Sequence, residues 1–563
     1  MIASRPVNTT APPQQPSLRA LIAGFVLAVL LCGINSYLTL SFGVIEEGPT
    51  IAALFFFAFF FLSKTAITSP EMVIVATMGS AGGSLGFISN FYAAKAMTGT
   101  PYTVFEMAGF AVVTSLIGLV FVIPLRDLLI LRENLPWPGS KATASVIEAL
   151  VEKGDPKQPY YLVASVLACI AYVVLNNDGG FGIVPESTEI PLLGLAAYGA
   201  AVAWSPFAIG GAFLMGMRTC IGFLVGGCIL LIMAPHLPTP AAPHRYVWPG
   251  IGFLVSTGIT LMLVNWRVVV SSVKSLVSIR GSNPDDDDPV LRPRTYLIFI
   301  AVALVATSLF SSLALGLNLL LVLVLVVVGG FLQNVIATRA AAQTAFNPAR
   351  VMGVLLQGVT AMAGGSSAAT NLAGAGFVAG SGAQAGNLTG DMAYGRWLKV
   401  PSRWQFWAQT LTIVPCAVVS AYVFEWISKT KTIALDGGDL PAPVAKMWAA
   451  TALIFDGSTP MPPGAMKAMA IAAAVGVVYV VLEENQKLHK YLPSSVGIGI
   501  ALVLPVAYDF AFFLGGLVFW GLLGKGFKVK DLTLTTLAVG AIVGEGLGGV
   551  MKPVLQMLKV IKG

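Results

Sequence analysis

Charged residues are scarce in this chain. Asp, Glu, Lys and Arg make up 10% of the 563 residues, whereas soluble domains carry roughly 25%. Hydrophobic residues account for 56%, so the chain has too few polar side chains to cover a soluble surface of this size. The composition excludes a soluble enzyme or binding domain. The net charge of +7 is scattered among the connections and predicts no nucleic-acid partner.

Metal-ligating and redox residues are also few. The three histidines (His236, His244 and His489) fall in predicted loops without ligand spacing, and the five cysteines lie in apolar runs without a CxxC pair. We therefore predict no metal site and no cofactor, so a transported metal would have to arrive already chelated. The phosphate-binding pattern GxxxxGKS/T is absent too. An ATP-driven pump is therefore not indicated, and any transport would be driven by an ion gradient or by nothing at all.

What the chain has in abundance is apolar runs close to the ~20 residues that span a bilayer. Lipid offers no hydrogen bonds to the backbone, so such runs form helices. We predict an all-α, polytopic integral membrane protein with about 14 to 16 transmembrane helices in two internally related halves. The predicted spans lie near residues 18–40, 50–62, 73–92, 103–125, 161–175, 190–203, 207–234, 252–273, 296–315, 317–332, 351–362, 368–386, 404–426, 465–482, 497–523 and 532–558.

A polar stretch, RGSNPDDDDPVLRPR at residues 280–294, divides the chain near its midpoint. We predict a disordered Pro-rich tail at 1–17, a transmembrane half at 18–279, this acidic linker, and a second transmembrane half at 295–563. Basic residues near both ends place both termini in the cytoplasm and the protein in the inner (plasma) membrane. The abundant small residues allow a homodimer without requiring one.

The four consecutive aspartates at 285–288 admit two interpretations. They are either a solvated charge run or a magnesium–diphosphate site of a membrane-embedded prenyl- or lipid-modifying enzyme. Such a site normally needs carboxylates that converge from two separate helices, so a single run between prolines is more simply a solvated linker. We therefore predict that the chain is not an enzyme and keep this chemistry as a remote alternative.

Residues 363–409 carry the strongest local signal. Between Ala363 and Gly390 there are eight Gly and eight Ala, interrupted by Asn371, Gln384 and Asn387. Small residues allow close approach of helices, and polar groups at membrane depth usually face a bundle interior or a water-filled path. The segment predicts tightly packed helices around a polar site.

The string GDMAYGRWLKVPSRWQFWAQ (390–409) resembles the hallmark segment of the oligopeptide transporter family. Ala393 stands where the family has a lysine, and Ser402 stands where it has a second proline. Five further stretches resemble family segments in the same order, although Met72 and Ala76 replace amide residues in one of them. They are residues 33–43, 70–83, 124–150, 344–365 and 540–550.

The resemblance implies a many-helix, internally duplicated importer, a bacterial member related to the yellow-stripe-like metal–chelate transporters. Such proteins move short peptides or metal–chelate complexes together with protons. The expected function is therefore secondary active, proton-coupled import of short peptides or peptide-like solutes, with a metal–chelate importer as the alternative. The expected partners are a small-molecule substrate, protons and the lipid bilayer.

Four carboxylates are candidates for proton coupling, because acidic groups at membrane depth are functional hypotheses by default. Asp391 follows the small-residue helix and could instead form an ion pair with a nearby cation. Glu71 and Glu106 lie in first helical turns, where capping competes with function. Glu545 lies inside an apolar run between glycines.

Candidate substrate contacts are polar groups and flexible backbone within or beside apolar spans. Lys399 and Arg403 suit a carboxylate but could equally mark a membrane boundary. The sequence LPWPGSKATAS predicts either a broken helix whose exposed N-terminus faces an anionic group of the substrate or an amphipathic helix at the membrane surface. The complete set is Asn35, Tyr37, Gly139, Ser140, Thr143, Asn371, Gln384, Asn387, Lys399, Arg403 and Gln409.

Overall fold

The computed structural model describes residues 16–43, 48–62, 67–99, 101–153, 157–176, 180–264, 266, 288–344, 349–364, 367–436, 438–457, 463–485 and 487–561. These residues fold into a bundle of α-helices. In chain order the helices are α1 (Leu18–Phe42), α2 (Gly48–Leu62), α3 (Ser69–Gly86), α4 (Ser89–Thr98), α5 (Val104–Leu125), α6 (Pro138–Lys153), α7 (Gln158–Leu175), α8 (Pro206–Met215), α9 (Met217–Met233), α10 (Trp248–Val264), α11 (Pro293–Leu313), α12 (Leu319–Val324), α13 (Asn334–Thr344), α14 (Ala349–Met362), α15 (Ala368–Phe377), α16 (Ala383–Trp397), α17 (Ser402–Thr430), α18 (Pro443–Asp456), α19 (Ala465–Glu483), α20 (Ser495–Ala501), α21 (Val506–Gly516) and α22 (Asp531–Met557).

Short π-helical segments continue four of these helices, at Arg126–Arg132, Leu325–Gln333, Val378–Gly382 and Leu517–Gly526. Each adds a residue per turn and so rotates the side chains that follow it, a device frequent near functional sites. Short 3₁₀ turns lie at Leu192–Tyr198, Ala234–His236 and Pro243–Arg245. Two three-residue strands, β1 (Ser187–Glu189) and β2 (Ala201–Ala203), pair antiparallel with Thr188 opposite Val202.

Within the described residues, ten helical stretches are long and apolar enough to cross a membrane, and four shorter apolar helices accompany them. The all-α polytopic architecture is therefore confirmed. The relation between the two halves stays a prediction. Residues 1–15 and residues 267–287, which include the first eight residues of the acidic linker, lie outside the described residues. So do Asn347 and Pro348 of one family-like segment.

Three of the predicted spans need correction. Residues 190–203 form a 3₁₀ turn and strand β2 instead of a membrane helix; proline, glycine and alanine dilute its apolar run. The predicted span 207–234 is two helices that meet at Gly216, whose φ of 83° favours glycine. The predicted span 497–523 is likewise divided, between α20 and α21. Helix α18 was not predicted, because Lys446 interrupts its hydrophobic pattern.

The direction of the helices bears on the two ends of the chain. Along α1 and α22, Ile34 lies against Gly546 and Tyr37 against Gly549, so residue numbers rise together along both helices. The start of α1 and the end of α22 therefore lie at opposite faces of the bundle. The expectation that both termini share one side is wrong for these two helices, because the charge of the terminal lysines does not report the packing direction of α22.

Helix α3 lies at the centre of the bundle, packed against α1, α2, α16 and α17. In the continuous helical stretch Ser69–Thr98, the most apolar window of 18 residues is fully buried. In α11 and in α19, only 17% of the corresponding window is buried. The small residues of α3 permit this position. A Cβ at Gly82, for example, would overlap the backbone of Ala28 on α1. The central helix therefore owes its place to small side chains, and the outer helices carry the large apolar ones.

Candidate functional site

The first buried polar region lies where α3, α16 and α17 meet, and we call it the amide cluster. Its α3 members, Thr77, Ala81 and Ser84, are spaced by four and three residues and so share one helix face. Helices α16 and α17 supply further members at the same kind of spacing. These are Gln384, Asn387 and Asp391 on α16, and Gln405 and Gln409 on α17. Helical periodicity alone therefore brings them to one interface.

Gln405 occupies the middle of this cluster. Its side-chain amide Nε2 donates to the hydroxyl of Thr77 at 3.0 Å and to the backbone carbonyl of Asp391 at 2.8 Å. The Tyr394 hydroxyl lies 3.5 Å from the Thr77 hydroxyl. Gly395 makes room for the amide, because a Cβ there would overlap the Gln405 side-chain oxygen. The three helices are thus joined through a single amide.

The remaining amides extend the cluster along α3. Gln409 donates to the side-chain oxygen of Gln384 in a short hydrogen bond. Gln384 in turn lies 3.5 Å from the carbonyl of Ala81, and Asn387 donates to Ser84 at 2.6 Å. Amides both donate and accept, so a set of this kind can exchange its internal hydrogen bonds for bonds to the peptide groups of a ligand.

Asp391 is 3% exposed, and its carboxylate interacts with the hydroxyl of Tyr394. The predicted break lies beside it. One helical segment ends at Arg132, α6 begins at Pro138, and the Ser140 hydroxyl donates to the carbonyl of Gly390 at 2.8 Å. The helical segments are thus interrupted at residues 133–137, and Ser140 bonds to the residue before Asp391. That this break faces the substrate stays a prediction. Gly139 lies in the first turn of α6, and Thr143 is buried further along it.

Two buried asparagines flank this region. Asn35 on α1 packs beside Gly86 of α3, and Asn371 lies on α15. Among the described residues, neither side-chain amide has a hydrogen-bond partner. Buried amides without a partner cost about 1–3 kcal/mol each, so both are groups that a bound polar ligand would satisfy.

The second buried polar region, which we call the glutamate cluster, lies around α22. The Glu545 carboxylate accepts hydrogen bonds from the Ser205 hydroxyl at 2.6 Å and from the backbone N–H of Phe207 at 2.7 Å. These donors form the N-terminus of α8, where a helix favours negative charge. Lys552 lies seven residues after Glu545, on the same helix face, and donates to the Asn176 side chain at 2.8 Å.

Tyr508 joins the glutamate cluster from α21. Its hydroxyl donates to Glu186 at 2.8 Å, and the ring of Tyr37 on α1 lies against Gly549 of α22. Tyr37 therefore faces α22 and the glutamate cluster, whereas Asn35 faces α3. Residues two apart on a helix point in different directions, so these two candidates belong to different regions.

Asp509 is an acidic group that the sequence analysis missed. It is 0% exposed between α21 and α9, and neither carboxylate oxygen has a hydrogen-bond partner among the described residues. A Cβ at Gly227 would come within 3.1 Å of one of those oxygens. The available signal was its position as the one acidic residue in the apolar run 497–523.

The other two predicted carboxylates hold helix ends. Glu71 forms a capping box with Thr68 at the start of α3, and Arg19 pairs with both of its oxygens at 2.6 and 2.7 Å. Glu106 is half-buried and forms the same box with Thr103 at the start of α5. These contacts favour the capping alternative for both residues.

Lys399 and Arg403 line a separate, exposed cavity at the turn between α16 and α17. The structure therefore does not bring them into the amide cluster. In the described part of the chain, no three His, Cys, Asp or Glu side chains form a group that could hold a metal ion.

Comparison with known proteins gives the family. The family model described as OPT oligopeptide transporter protein matches residues 15–555. YGL114W of Saccharomyces cerevisiae, whose name assigns it provisionally to oligopeptide transport, is 21% identical over 97% of each chain. YSL4 of Arabidopsis thaliana, whose name assigns it provisionally to metal–nicotianamine transport, is 30% identical over 24% of this chain and 25% of its own.

Proposed function

Because the chain belongs to the oligopeptide transporter family, we propose that it imports short peptides or peptide-like solutes together with protons. The observation that carries the proposal is the amide cluster. Peptide bonds need both donors and acceptors, and this cluster offers both on three helices that meet at the centre of the bundle. A substrate that formed hydrogen bonds to these side chains would break the bonds that join the three helices. The helices could then separate, as alternating access requires.

The proposed path runs along α3. Asn35 and Asn371 supply further amides, and Ser140, Gly139 and Thr143 lie where α6 begins beside α16. Asp391 is the acidic group of this path, and it would contact a substrate ammonium or a coupled proton. Glu545 is the second proton-coupling candidate, since it is a buried carboxylate of α22 that faces the N-terminus of α8.

The metal–chelate alternative has one observation in its favour, the match of a quarter of the chain to YSL4. A chelate such as a metal–amino-carboxylate also presents carboxylates and amines. The remote enzyme alternative has less support. The one aspartate of the acidic run that the structure describes, Asp288, accepts the backbone N–H of Ser402 at 2.8 Å.

We place the protein in the plasma membrane with the start of α1 facing the cytoplasm. Helices α1 and α17 both run in the direction of α3. Ala28 and Asn35 of α1 lie beside Gly82 and Gly86. On α17, Gln405 bonds to Thr77, and Ser420 lies 3.4 Å from Tyr92, just beyond the end of α3. Arg403 therefore lies at the same face as Arg19, and basic residues mark the cytoplasmic side. The end of α22 then faces outward, so an alkaline phosphatase fused there would be active.

The test is uptake into proteoliposomes under an imposed acid-outside proton gradient. The mixture contains di- to pentapeptides, glutathione, and iron and nickel chelates, and the lumen is analysed by mass spectrometry. We expect one class to accumulate above its external concentration, and a protonophore to abolish that accumulation. A solute that merely equilibrates, with or without the gradient, would show a facilitator instead of a proton-coupled importer.

A further inference from the structure

A strongly basic cavity lies outside both polar clusters, at the turn between α16 and α17. It has a volume of about 460 Å³ and is lined by Arg126, Asp288, Arg396, Lys399 and Arg403, together with apolar residues of the turn. We call it the basic vestibule. The proposed transport function makes no use of it.

The turn itself sets this arrangement of charges. The backbone N–H of Val400 bonds to the carbonyl of Gly395 at 2.8 Å, and Val400 is buried. Lys399 adopts a φ of 60°, a left-handed conformation that is strained for a residue with a side chain. The chain therefore reverses sharply, and Arg396 before the turn and Arg403 after it reach the same cavity.

The carboxylate in the vestibule is already engaged. Asp288 accepts the backbone N–H of Ser402 at 2.8 Å, and its backbone carbonyl accepts from Arg126 at 2.9 Å. Arg126 is buried and also donates to the Ser402 hydroxyl at 3.0 Å. These two residues thus serve mainly to hold the structure together.

The other three cations have no acidic partner among the described residues, which do not include the aspartates at 285–287. Arg396, Lys399 and Arg403 are exposed, and no ion pair involves them among the described residues. Like charges that share a cavity repel one another. An anion bound among them attracts all three cations and so lowers the electrostatic energy of the cavity. Two guanidinium forks and one ammonium are the set of donors that suits phosphate oxygens.

A second cavity adjoins the first. It measures about 270 Å³, shares Arg396, and is otherwise lined by Asn134 and by the large side chains of Ile130, Leu131, Leu135, Trp137 and Trp397. Trp397, which lines it, is 39% exposed, as is typical of aromatic residues at the level of lipid headgroups. A basic cavity that opens onto one with several large apolar side chains suits a phospholipid, with a charged head and an acyl chain.

We propose that the basic vestibule binds the phosphate group of an anionic phospholipid, and that the adjoining cavity takes the first part of one acyl chain. Arg396 and Arg403 grip the phosphate oxygens, and Lys399 adds a point charge. The same phosphate chemistry could come from a soluble phosphate, which would leave the adjoining cavity unused. The two sources are separated experimentally.

The experiment is native mass spectrometry of the delipidated full-length protein, titrated with dioleoyl phosphatidylglycerol or dioleoyl phosphatidylcholine. We expect the wild type to prefer phosphatidylglycerol. The double variant Arg396→Gln/Arg403→Gln should bind it roughly 10- to 30-fold more weakly, since each cation near an anionic lipid surface contributes a factor of about five. The matched control Lys525→Gln/Lys530→Gln removes two exposed cations elsewhere and should bind as the wild type does.

Equal binding of phosphatidylglycerol by the wild type and the double variant would overturn the proposal, as would an equal loss in the control. Thermal unfolding in sodium phosphate, against sodium chloride of the same ionic strength, tests the soluble source. Stabilisation of the wild type but not of the double variant, without any lipid preference, would overturn the lipid assignment. If the double variant fails to fold, Arg396→Lys/Arg403→Lys keeps the charge. It should retain the preference for phosphatidylglycerol, and complete loss of that preference would count against the proposal.

Discussion

The amide cluster and the glutamate cluster are both buried, yet they are built on different chemistry. The amide cluster consists mainly of neutral groups, with Gln405 bonded to Thr77 and to the carbonyl of Asp391. In the glutamate cluster, Glu545 accepts from the start of α8 and shares a helix face with Lys552. The comparison suggests a division of labour in which neutral amides recognise a polar solute and the charged region responds to protons.

The largest expected effect comes from removing the charge of the glutamate cluster. Glu545→Gln keeps the hydrogen bonds from Ser205 and Phe207 within reach but cannot bind and release a proton. We expect accumulation above equilibrium to disappear while counterflow exchange of substrate continues. The matched control is Glu106→Gln, because glutamine also closes a capping box and should leave uptake intact. Normal proton-driven accumulation by Glu545→Gln would remove this residue from coupling.

The second effect concerns Asp391, the carboxylate of the amide cluster. Asp391→Asn should abolish most gradient-driven uptake and leave substrate binding or exchange partly intact, because the asparagine still bonds to Tyr394. Uptake and equilibrium binding measured on the same preparation check this. If the variant still concentrates substrate against a gradient, Asp391 is structural, and the two clusters do not both take part in coupling.

The third effect separates structural amides from functional ones. Gln384→Leu alone leaves Gln409 without its buried partner and should lower the free energy of unfolding by about 1–3 kcal/mol. Gln384→Leu/Gln409→Leu removes both partners and should recover much of that stability. We expect the double variant to be stable and yet to have lost substrate affinity. A stable double variant with wild-type affinity would show that the pair only holds helices together.

The smallest effect on transport itself lies outside both clusters, and it bears on every acid-gradient assay. Burial, together with the nearby charges of Lys446 and Arg245, lowers the pKa of His244 to about 3. In the unfolded chain histidine titrates near 6.5. Between about pH 3 and pH 6.5 the His244 imidazole is therefore protonated in the unfolded chain and neutral in the folded protein. Stability should therefore fall as the pH drops from about 6.5 toward 3, by at most about 1.4 kcal/mol per pH unit.

Thermal unfolding against pH measures this dependence, and His244→Gln should flatten it. A variant with the same pH dependence as the wild type would assign the effect to other groups. The comparison also shows whether low pH reduces uptake through instability instead of through the clusters.

The sequence predicted the all-α membrane bundle well, because apolar runs near the length of a bilayer crossing leave few other structures. It also predicted that Gln384, Asn387 and Asp391 share a polar interface, since small residues and helical spacing both point there. It could not assign Gln405 its central position, because that depends on which helix packs against Gly395. The sequence analysis missed Asp509, although it is the one acidic residue of the apolar run 497–523. The expectation that both termini share one side failed for α22, because charge at a terminus does not indicate the direction in which its helix packs.

Asp288 joins the two halves of the chain. Its carboxylate accepts a hydrogen bond from the backbone N–H at the start of α17, and its backbone carbonyl accepts one from Arg126 of the first half. Asp288 belongs to the linker by sequence and to both halves by contact. A gene divided just before the codon for Asp288 would give two fragments that bind each other through Arg126 and Asp288. A division just after that codon would place Asp288 and the helix that it caps on different fragments.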